Sequence, residues 1–143
     1  MLKKKSYSLN EAKKKLENFC SYQERCHKEV KEKLRELGMI QSASQEIIAQ
    51  LIQEDYLNET RFAKNFARGK FRIKNWGRNR ISRELKSRNI SDYNIKMGMQ
   101  EFTDIEYEET FYNLIEKRKK SVEHLPIDQQ KKKIFSYLSY RGW

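Results

Sequence analysis

The residues with the clearest chemical potential are cations in the middle of the chain. Segment 61–90 contains eleven Lys and Arg residues and a single acid, Glu84. Solvated helices usually mix both signs, because opposite charges one turn apart stabilise each other. A basic segment without such pairs favours binding to a polyanion or an acidic protein surface. We predict an interaction surface whose partner-binding or DNA-binding residues are Arg61, Lys64, Arg68, Lys70, Arg72, Lys74, Arg78, Arg80 and Arg83. A merely solvated basic face is the alternative.

A Trp-Gly pair interrupts these cations in the stretch KFRIKNWGRNR, residues 70–80. Exposing a large aromatic side chain to water is unfavourable, so we interpret Trp76 as an anchor of a structural junction. A contact surface for a partner is the other interpretation of Trp76. Gly77 is expected to serve the turn or the helix start through its backbone freedom. The remaining residues predicted at this junction are Tyr56, Phe62, Phe66, Ile81 and Leu85.

No group of side chains in the sequence predicts catalysis. The sequence has no glycine-rich phosphate loop and no nucleophile with a supporting base. The spacing of Cys20, Cys26, His27 and His124 is not that of a metal site. The acidic cluster of Asp104, Glu106, Glu108 and Glu109 is best interpreted as the first turn of a helix, where carboxylates complement the helix dipole. We therefore predict a protein that is not an enzyme and that has no catalytic, metal-binding or cofactor-binding residues.

Helices must position these residues, as composition and apolar spacing indicate. The 143-residue chain has one proline and five glycines, with 37% hydrophobic and 36% charged residues. Few turn residues and a lean apolar content favour long helices in an elongated arrangement. Apolar residues three and four apart predict eight helices and no strand, the first from about Leu9 to Tyr22 behind a Ser8–Glu11 capping box. We expect Ser42 to open the third helix and Asp104 to cap the seventh.

The two cysteines and the lack of long apolar segments predict a cytoplasmic protein, which we expect to be a monomer that does not bind membranes. The formal charge is +11, distributed in blocks of alternating sign along the chain. Two cysteines cannot build a disulfide framework, and no apolar stretch follows the N-terminal MLKKK. No uninterrupted apolar run approaches the roughly 18 residues that a spanning helix needs.

Self-comparison of the sequence reveals a repeat. The segments VKEKLRELGM (30–39), ISRELKSRNI (81–90) and IFSYLSYRGW (134–143) align with one another at offsets of 51 and 53. Each has two apolar residues four apart, then a residue that tolerates a left-handed backbone, then an apolar residue. Units of about 50 residues are in the range of helical repeats that stack on their neighbours. We predict an N-terminal helix (1–22), two three-helix repeats (23–74 and 75–123) and the start of a third repeat (124–143), and we expect the natural protein to continue.

The repeat and the motifs in it resemble the RecX family of bacterial RecA regulators. The similarity covers roughly residues 9–143 and is most specific over 56–90. Cys26 departs from the family's usual serine cap, and Asn89 from a frequent glycine. The matching residues are Leu57, Asn58, Glu59, Arg61, Phe62, Ala63, Trp76, Gly77, Arg80, Ile81, Leu85 and Ile90.

The resemblance implies a curved, all-α array that lies in the helical groove of a RecA–DNA filament and modulates recombinase activity in DNA recombination, DNA repair and the SOS response. RecA is then the main partner, and DNA a secondary one. Two other interpretations stay open. One is a direct nucleic-acid-binding protein that acts through its central basic face, and the other is a structural helical adaptor. The sequence does not distinguish binding along the groove from capping of filament ends or competition for DNA.

Overall fold

A computed structural model describes residues 6–143 of the chain, and these residues form helices and no strand. The all-α prediction is confirmed, and the first helix has the predicted bounds. The predicted N-terminal unit, residues 1–22, begins with MLKKK, which lies outside the described residues. The eight helices are α1 (Leu9–Tyr22), α2 (His27–Glu36), α3 (Gln41–Gln53), α4 (Glu59–Arg72), α5 (Arg78–Ser87), α6 (Asp92–Met99), α7 (Asp104–Val122) and α8 (Ile127–Tyr140).

Side-chain caps define several of these helix starts. At α1 the Ser8 hydroxyl accepts from the Glu11 amide while the Glu11 carboxylate accepts from the Ser8 amide, both at 3.1 Å. These reciprocal bonds satisfy two amides that the helix itself leaves without partners. The Asn58 side chain likewise accepts from the Arg61 amide at the start of α4, at 3.0 Å.

Two predicted helix starts were wrong. The α3 helix begins at Gln41 after Ile40, so Ser42 lies inside the helix. The α7 helix is capped by Thr103, and Asp104 is its first residue. Thr103 forms a capping box with Glu106. Asp104 lies in the first turn, where its carboxylate interacts favourably with the helix dipole but caps no amide.

The sequence repeat has a structural counterpart at the ends of α2, α5 and α8. In each case a residue with positive φ follows the helix: Gly38 at 76°, Asn89 at 59° and Gly142 at 89°. The next amide then donates back to the fifth residue before it: Met39 to Leu34 at 3.0 Å, Ile90 to Leu85 at 3.2 Å and Trp143 to Leu138 at 3.0 Å. This is the Schellman pattern, which satisfies carbonyls at a helix end. The α3 helix ends in the same way at Asp55, so it is this ending together with the sequence repeat that makes α2, α5 and α8 equivalent.

Two apolar cores lie along the chain. The first core joins α1, α2 and α3 around fully buried Leu16, Leu34 and Leu51. The second core joins α4, α5 and α6 around Phe71, Ile81 and Leu85. A three-helix period sets the length of a repeat but not the helix at which it begins. The boundaries predicted for the repeats at 23–74 and 75–123, and for a third unit from 124, stay a prediction.

The C-terminal residues dock on the start of α5. The Gly77 amide donates to the Arg141 carbonyl at 2.7 Å, and the Asn79 amide donates to the Gly142 carbonyl at 3.0 Å. Gly77 has an ordinary φ of −81°, so backbone freedom is not the reason for glycine there. A Cβ on Gly77 would lie 2.4 Å from the Gly142 oxygen. The expectation for Gly77 was wrong in its cause, because close backbone approach requires the glycine.

The arrangement of helices is extended. The chain exposes 9913 Å², whereas a compact monomer of this mass exposes about 7,800 Å². The α8 helix contains no fully buried residue, and Phe135 on it is 73% exposed. Within residues 6–143, no helix is long and apolar enough to cross a membrane.

Candidate interaction surface

Arg61, the first residue of the predicted basic surface, is half-buried and bonded to other parts of the chain. Its Nε donates to the Glu24 carboxylate, its Nη1 lies 3.1 Å from Asp55 Oδ1, and its Nη2 donates to the Asp55 carbonyl at 2.9 Å. Burial alone would lower the pKa of Arg61, but the hydrogen bond and charge of Glu24, with the charge of Asp55, outweigh it and raise the pKa. Arg61 therefore ties α4 to the end of α1 and to the α3–α4 turn.

Three more arginines of the surface pair with carboxylates from the acidic segment 91–116. The shortest N–O distances are 2.9 Å for Arg68 to Glu101, 3.6 Å for Arg72 to Glu106 and 2.6 Å for Arg78 to Asp104. These acids follow the basic block in sequence but return beside it through α6 and α7. The uniform positive charge of segment 61–90 is thus partly neutralised in the fold.

A second group of cations lies against aromatic rings. The Lys70 Nζ is 4.9 Å from the centre of the Trp76 ring and 5.5 Å from that of Phe66. The Arg80 guanidinium is 4.1 Å from the Trp76 ring and 4.8 Å from the Tyr140 ring. We call these five residues the cation–aromatic ladder. Such contacts hold a cation in place without neutralising it.

The remaining predicted cations are Lys64, Lys74 and Arg83, and we call them the unpaired cations. They make no ion pair within residues 6–143, in contrast to the four arginines described above. Lys74 and Arg83 are exposed, and Lys64 is half-buried. Their positive charge is available to a partner from outside the chain.

The predicted junction residues separate into two places. Phe62, Ile81 and Leu85 are buried in the second core, and Phe66 and Trp76 pack partly buried against it. The Phe66 and Trp76 rings meet edge to face, 6.2 Å apart. Tyr56 lies instead against the first core, away from this cluster.

Sequence reasoning did not identify Tyr107 as part of the junction. The Tyr107 ring stacks on Trp143 at 4.3 Å, and its hydroxyl accepts from the Arg78 amide at 3.0 Å. The Trp143 Nε1 donates to the Asn75 carbonyl at 2.9 Å, which fixes the C-terminal residue beside Trp76. The repeat placed Trp143 at an apolar position, but nothing in its spacing indicated which aromatic residue it would contact.

The two cysteines are structural. Burial raises the pKa of Cys20 and of Cys26 to about 11, so both are neutral thiols at ordinary pH. A neutral buried thiol is a poor nucleophile and a poor metal ligand. Within residues 6–143, no three or more His, Cys, Asp or Glu side chains stand where they could hold a metal ion.

A family model described as RecX, second three-helix domain, matches residues 58–99. This stretch includes α4, α5 and α6, the three helices that share the second core. The chain is 29% identical over 126 residues to the regulatory protein RecX of Bacillus cereus strain AH820 and to that of a Bacillus anthracis strain, CDC 684. The match covers 88% of this chain and 47% of each relative, so the chain spans about half the length of these curated relatives.

Solved structures resemble the chain over most of its length. The crystal structure of RecX from Lactobacillus salivarius superposes with a TM-score of 0.84 at 27% identity, covering 94% of this chain and 88% of that one. A second crystal structure, of a regulatory protein RecX, gives a TM-score of 0.85 at 19% identity over 94% of this chain and 67% of the other. The second likeness concerns the fold alone.

Proposed function

We propose that the chain is a RecX-family regulator of RecA, on the combined support of the family model, the curated relatives and the solved structures. In this proposal the protein binds the RecA–DNA filament in its helical groove and restrains ATP hydrolysis and strand exchange. Its role would lie in DNA recombination and repair and in the SOS response. The observation that carries the proposal is the family's three-helix unit at residues 58–99, which is where the unpaired cations lie.

The charge distribution supports a partner with a patterned surface. Paired arginines are interspersed along α4, the following turn and α5 with the unpaired Lys64, Lys74 and Arg83. A protein filament that carries DNA presents both acidic side chains and phosphates, so isolated cations at fixed positions can meet either. RecA is then the main partner, and DNA within the filament is the secondary one.

The repeat supports a filament as the target. Stacked units, as the repeat predicts, would place equivalent helices at regular intervals along an extended molecule, and a filament presents identical subunits at regular intervals. Weak contacts to several subunits then combine, because each contact raises the effective concentration for the next. Such binding needs no catalytic group, and the curated relatives are named as regulatory proteins. We therefore propose a non-catalytic regulator that acts as a monomer.

The proposal is tested by titrating the protein into cognate RecA assembled on single-stranded DNA. We expect the rate of ATP hydrolysis to fall at protein concentrations below or near that of RecA. ATP hydrolysis that stays constant throughout the titration would contradict the proposal.

Substitution of the unpaired cations shows whether they make the contact. A triple variant with Lys64→Gln, Lys74→Gln and Arg83→Gln should need roughly tenfold more protein for half-maximal inhibition, since rim charges govern association. The matched control, Lys14→Gln with Lys96→Gln and Lys120→Gln, removes the same charge from exposed positions elsewhere. Equal inhibition by both variants would make the central cations a solvated face and would favour an adaptor.

A further inference from the structure

A second basic surface lies between α7 and α8, outside the predicted site. It is a groove lined by four cations, Arg118, Lys132, Lys133 and Arg141, together with Ser136, Tyr137 and Tyr140. We call it the C-terminal groove. No acid belongs to its lining, and none of its four cations makes an ion pair within residues 6–143. Segment 61–90, which we call the central block, has more basic residues, but five of its eleven cations meet a carboxylate.

Two of its arginines converge on one ring. The Arg141 guanidinium is 3.8 Å from the centre of the Tyr137 ring, and that of Arg118 is 4.9 Å from it. The two positive charges thus share one aromatic ring. The groove has no carboxylate that would reduce their repulsion. Convergent cations without an acid are the arrangement that an anion stabilises.

Arg118 also has a hydrogen-bond donor without a partner among the described residues. The Arg118 Nε is buried and has no hydrogen-bond partner within residues 6–143. Buried polar groups of folded proteins nearly always have partners, and an anion that draws the Arg118 guanidinium into the groove would supply one. Arginine is well suited to phosphate, because its planar fork can donate two parallel hydrogen bonds.

We propose that the C-terminal groove binds the phosphodiester backbone of a nucleic-acid strand. Its residues on α8 and at the α8 C-cap, 132 to 141, extend over about 13 Å, enough for more than one phosphate. Cations and hydroxyl groups are the side chains that contact phosphate and sugar, and they carry no base preference. A protein partner would be expected to bury an apolar centre, and the lining of this groove has no aliphatic residue.

The ladder connects this groove to the central block. Arg80 bridges the Trp76 and Tyr140 rings, and its guanidinium also donates to the Tyr140 carbonyl at 3.3 Å. A bound strand therefore has a cation, Arg80, at the end of the groove nearest to α5. The inference does not depend on the proposed function, because it requires a nucleic acid and no recombinase.

The test measures binding of the whole chain to a fluorescein-labelled oligo(dT) by anisotropy, across a series of salt concentrations and without recombinase. The Lys132→Gln, Lys133→Gln variant should bind roughly tenfold more weakly, and its salt slope should fall by about 1.4, or 0.7 for each lost phosphate contact. The control Lys117→Gln, Lys120→Gln removes the same charge from exposed positions of α7 outside the groove, and it should lower affinity less than twofold.

Three results would overturn the proposal. The first is an equal loss of affinity in the groove variant and the control, which would show only the effect of net charge. The second is displacement of the oligonucleotide by poly-glutamate as effectively as by unlabelled oligo(dT), which would indicate an acidic protein partner. Inorganic phosphate should compete only at concentrations far above those of the oligonucleotide, and competition at equal concentration would show a site for the free ion.

A conservative substitution tests the orphan donor by itself. Arg118→Lys keeps the charge and removes the Nε donor, so we expect affinity for oligo(dT) to fall by roughly threefold. Circular dichroism at the same salt concentration serves to show that the variant is folded. Wild-type affinity in a folded Arg118→Lys protein would overturn the role assigned to Arg118.

Discussion

The central basic block and the C-terminal groove look alike in sequence and differ in the fold. Both are rich in Lys and Arg, but in the central block Arg61, Arg68, Arg72 and Arg78 each meet a carboxylate. In the groove the four lining cations have none within residues 6–143. Four of the acids that neutralise these arginines come from segments far away in sequence: Glu24, Glu101, Asp104 and Glu106. Charge density along a chain therefore does not measure the charge that a surface offers to a partner.

The largest effect is expected at the contact that joins the two regions. A Cβ on Gly142 would lie 2.3 Å from the Arg80 amide nitrogen. An alanine there would also have to adopt the glycine's φ of +89°. We expect Gly142→Ala to lower the free energy of unfolding by about 3 kcal/mol. Urea denaturation followed by circular dichroism measures this loss.

Gly38→Ala is the matched control for that substitution. Gly38 ends α2 with a φ of +76° at the equivalent repeat position, but a Cβ added there would meet nothing within 4 Å. Gly38→Ala should lower the free energy of unfolding by about 1 kcal/mol, the cost of holding an alanine at positive φ. Equal losses in the two variants would show that docking of the C-terminal residues adds no stability.

A smaller effect is expected from the paired cations of the central block. Arg61→Gln leaves the Glu24 carboxylate without its partner, and one Glu24 oxygen is already buried without a hydrogen bond. We expect a loss of about 2 kcal/mol in the free energy of unfolding, measured by urea denaturation. Lys64→Gln, one turn away and without an ion pair within residues 6–143, should change stability by less than about 0.5 kcal/mol. A larger loss for Lys64→Gln than for Arg61→Gln would reverse the division into paired and unpaired cations.

A still smaller effect is expected when paired arginines are tested for DNA binding. Arg68→Gln with Arg72→Gln removes two charges that Glu101 and Glu106 already neutralise. The salt slope for oligo(dT) binding should change by less than about 0.5, compared with about 1.4 for the groove variant. A slope change as large as that of the groove variant would place the phosphate contacts in the central block.

The smallest effect at neutral pH concerns the two cores, each of which contains one buried thiol. Because burial raises the pKa of Cys20 and Cys26 to about 11, both should react slowly with a thiol reagent at pH 8. An unfolded thiol ionises near pH 8.5. Between about pH 8.5 and 11 the unfolded state therefore binds fewer protons than the folded state. The thiol contribution to stability is therefore full below about pH 8.5 and is lost as pH rises towards 11. Fast labelling of the folded protein at pH 8 would contradict this burial.

Sequence reasoning reached the fold because the signals for it are local. Ser8 with Glu11 and the apolar positions after them fix α1, and the recurring pattern that ends at Gly38, Asn89 and Gly142 identifies equivalent helices. The start of α3 was predicted wrongly at Ser42. Several adjacent residues can precede a helix, and the sequence does not show which of them is the last non-helical residue.

The candidate site was less predictable, because its chemistry depends on contacts between distant segments. Nothing near Arg68 in sequence indicates that Glu101 will neutralise it. The reason for glycine at residue 77 lies in the backbone of Gly142. The C-terminal groove was overlooked because Arg118 and Lys132 are separated by a turn and become neighbours only when α7 packs on α8.

The most direct test of the central claim is electron microscopy of cognate RecA filaments on single-stranded DNA, with and without the protein. The proposed regulator should add continuous density along the helical groove of the filament. Filaments whose groove is empty at saturating protein, in a preparation where the protein is shown to be folded, would contradict the claim.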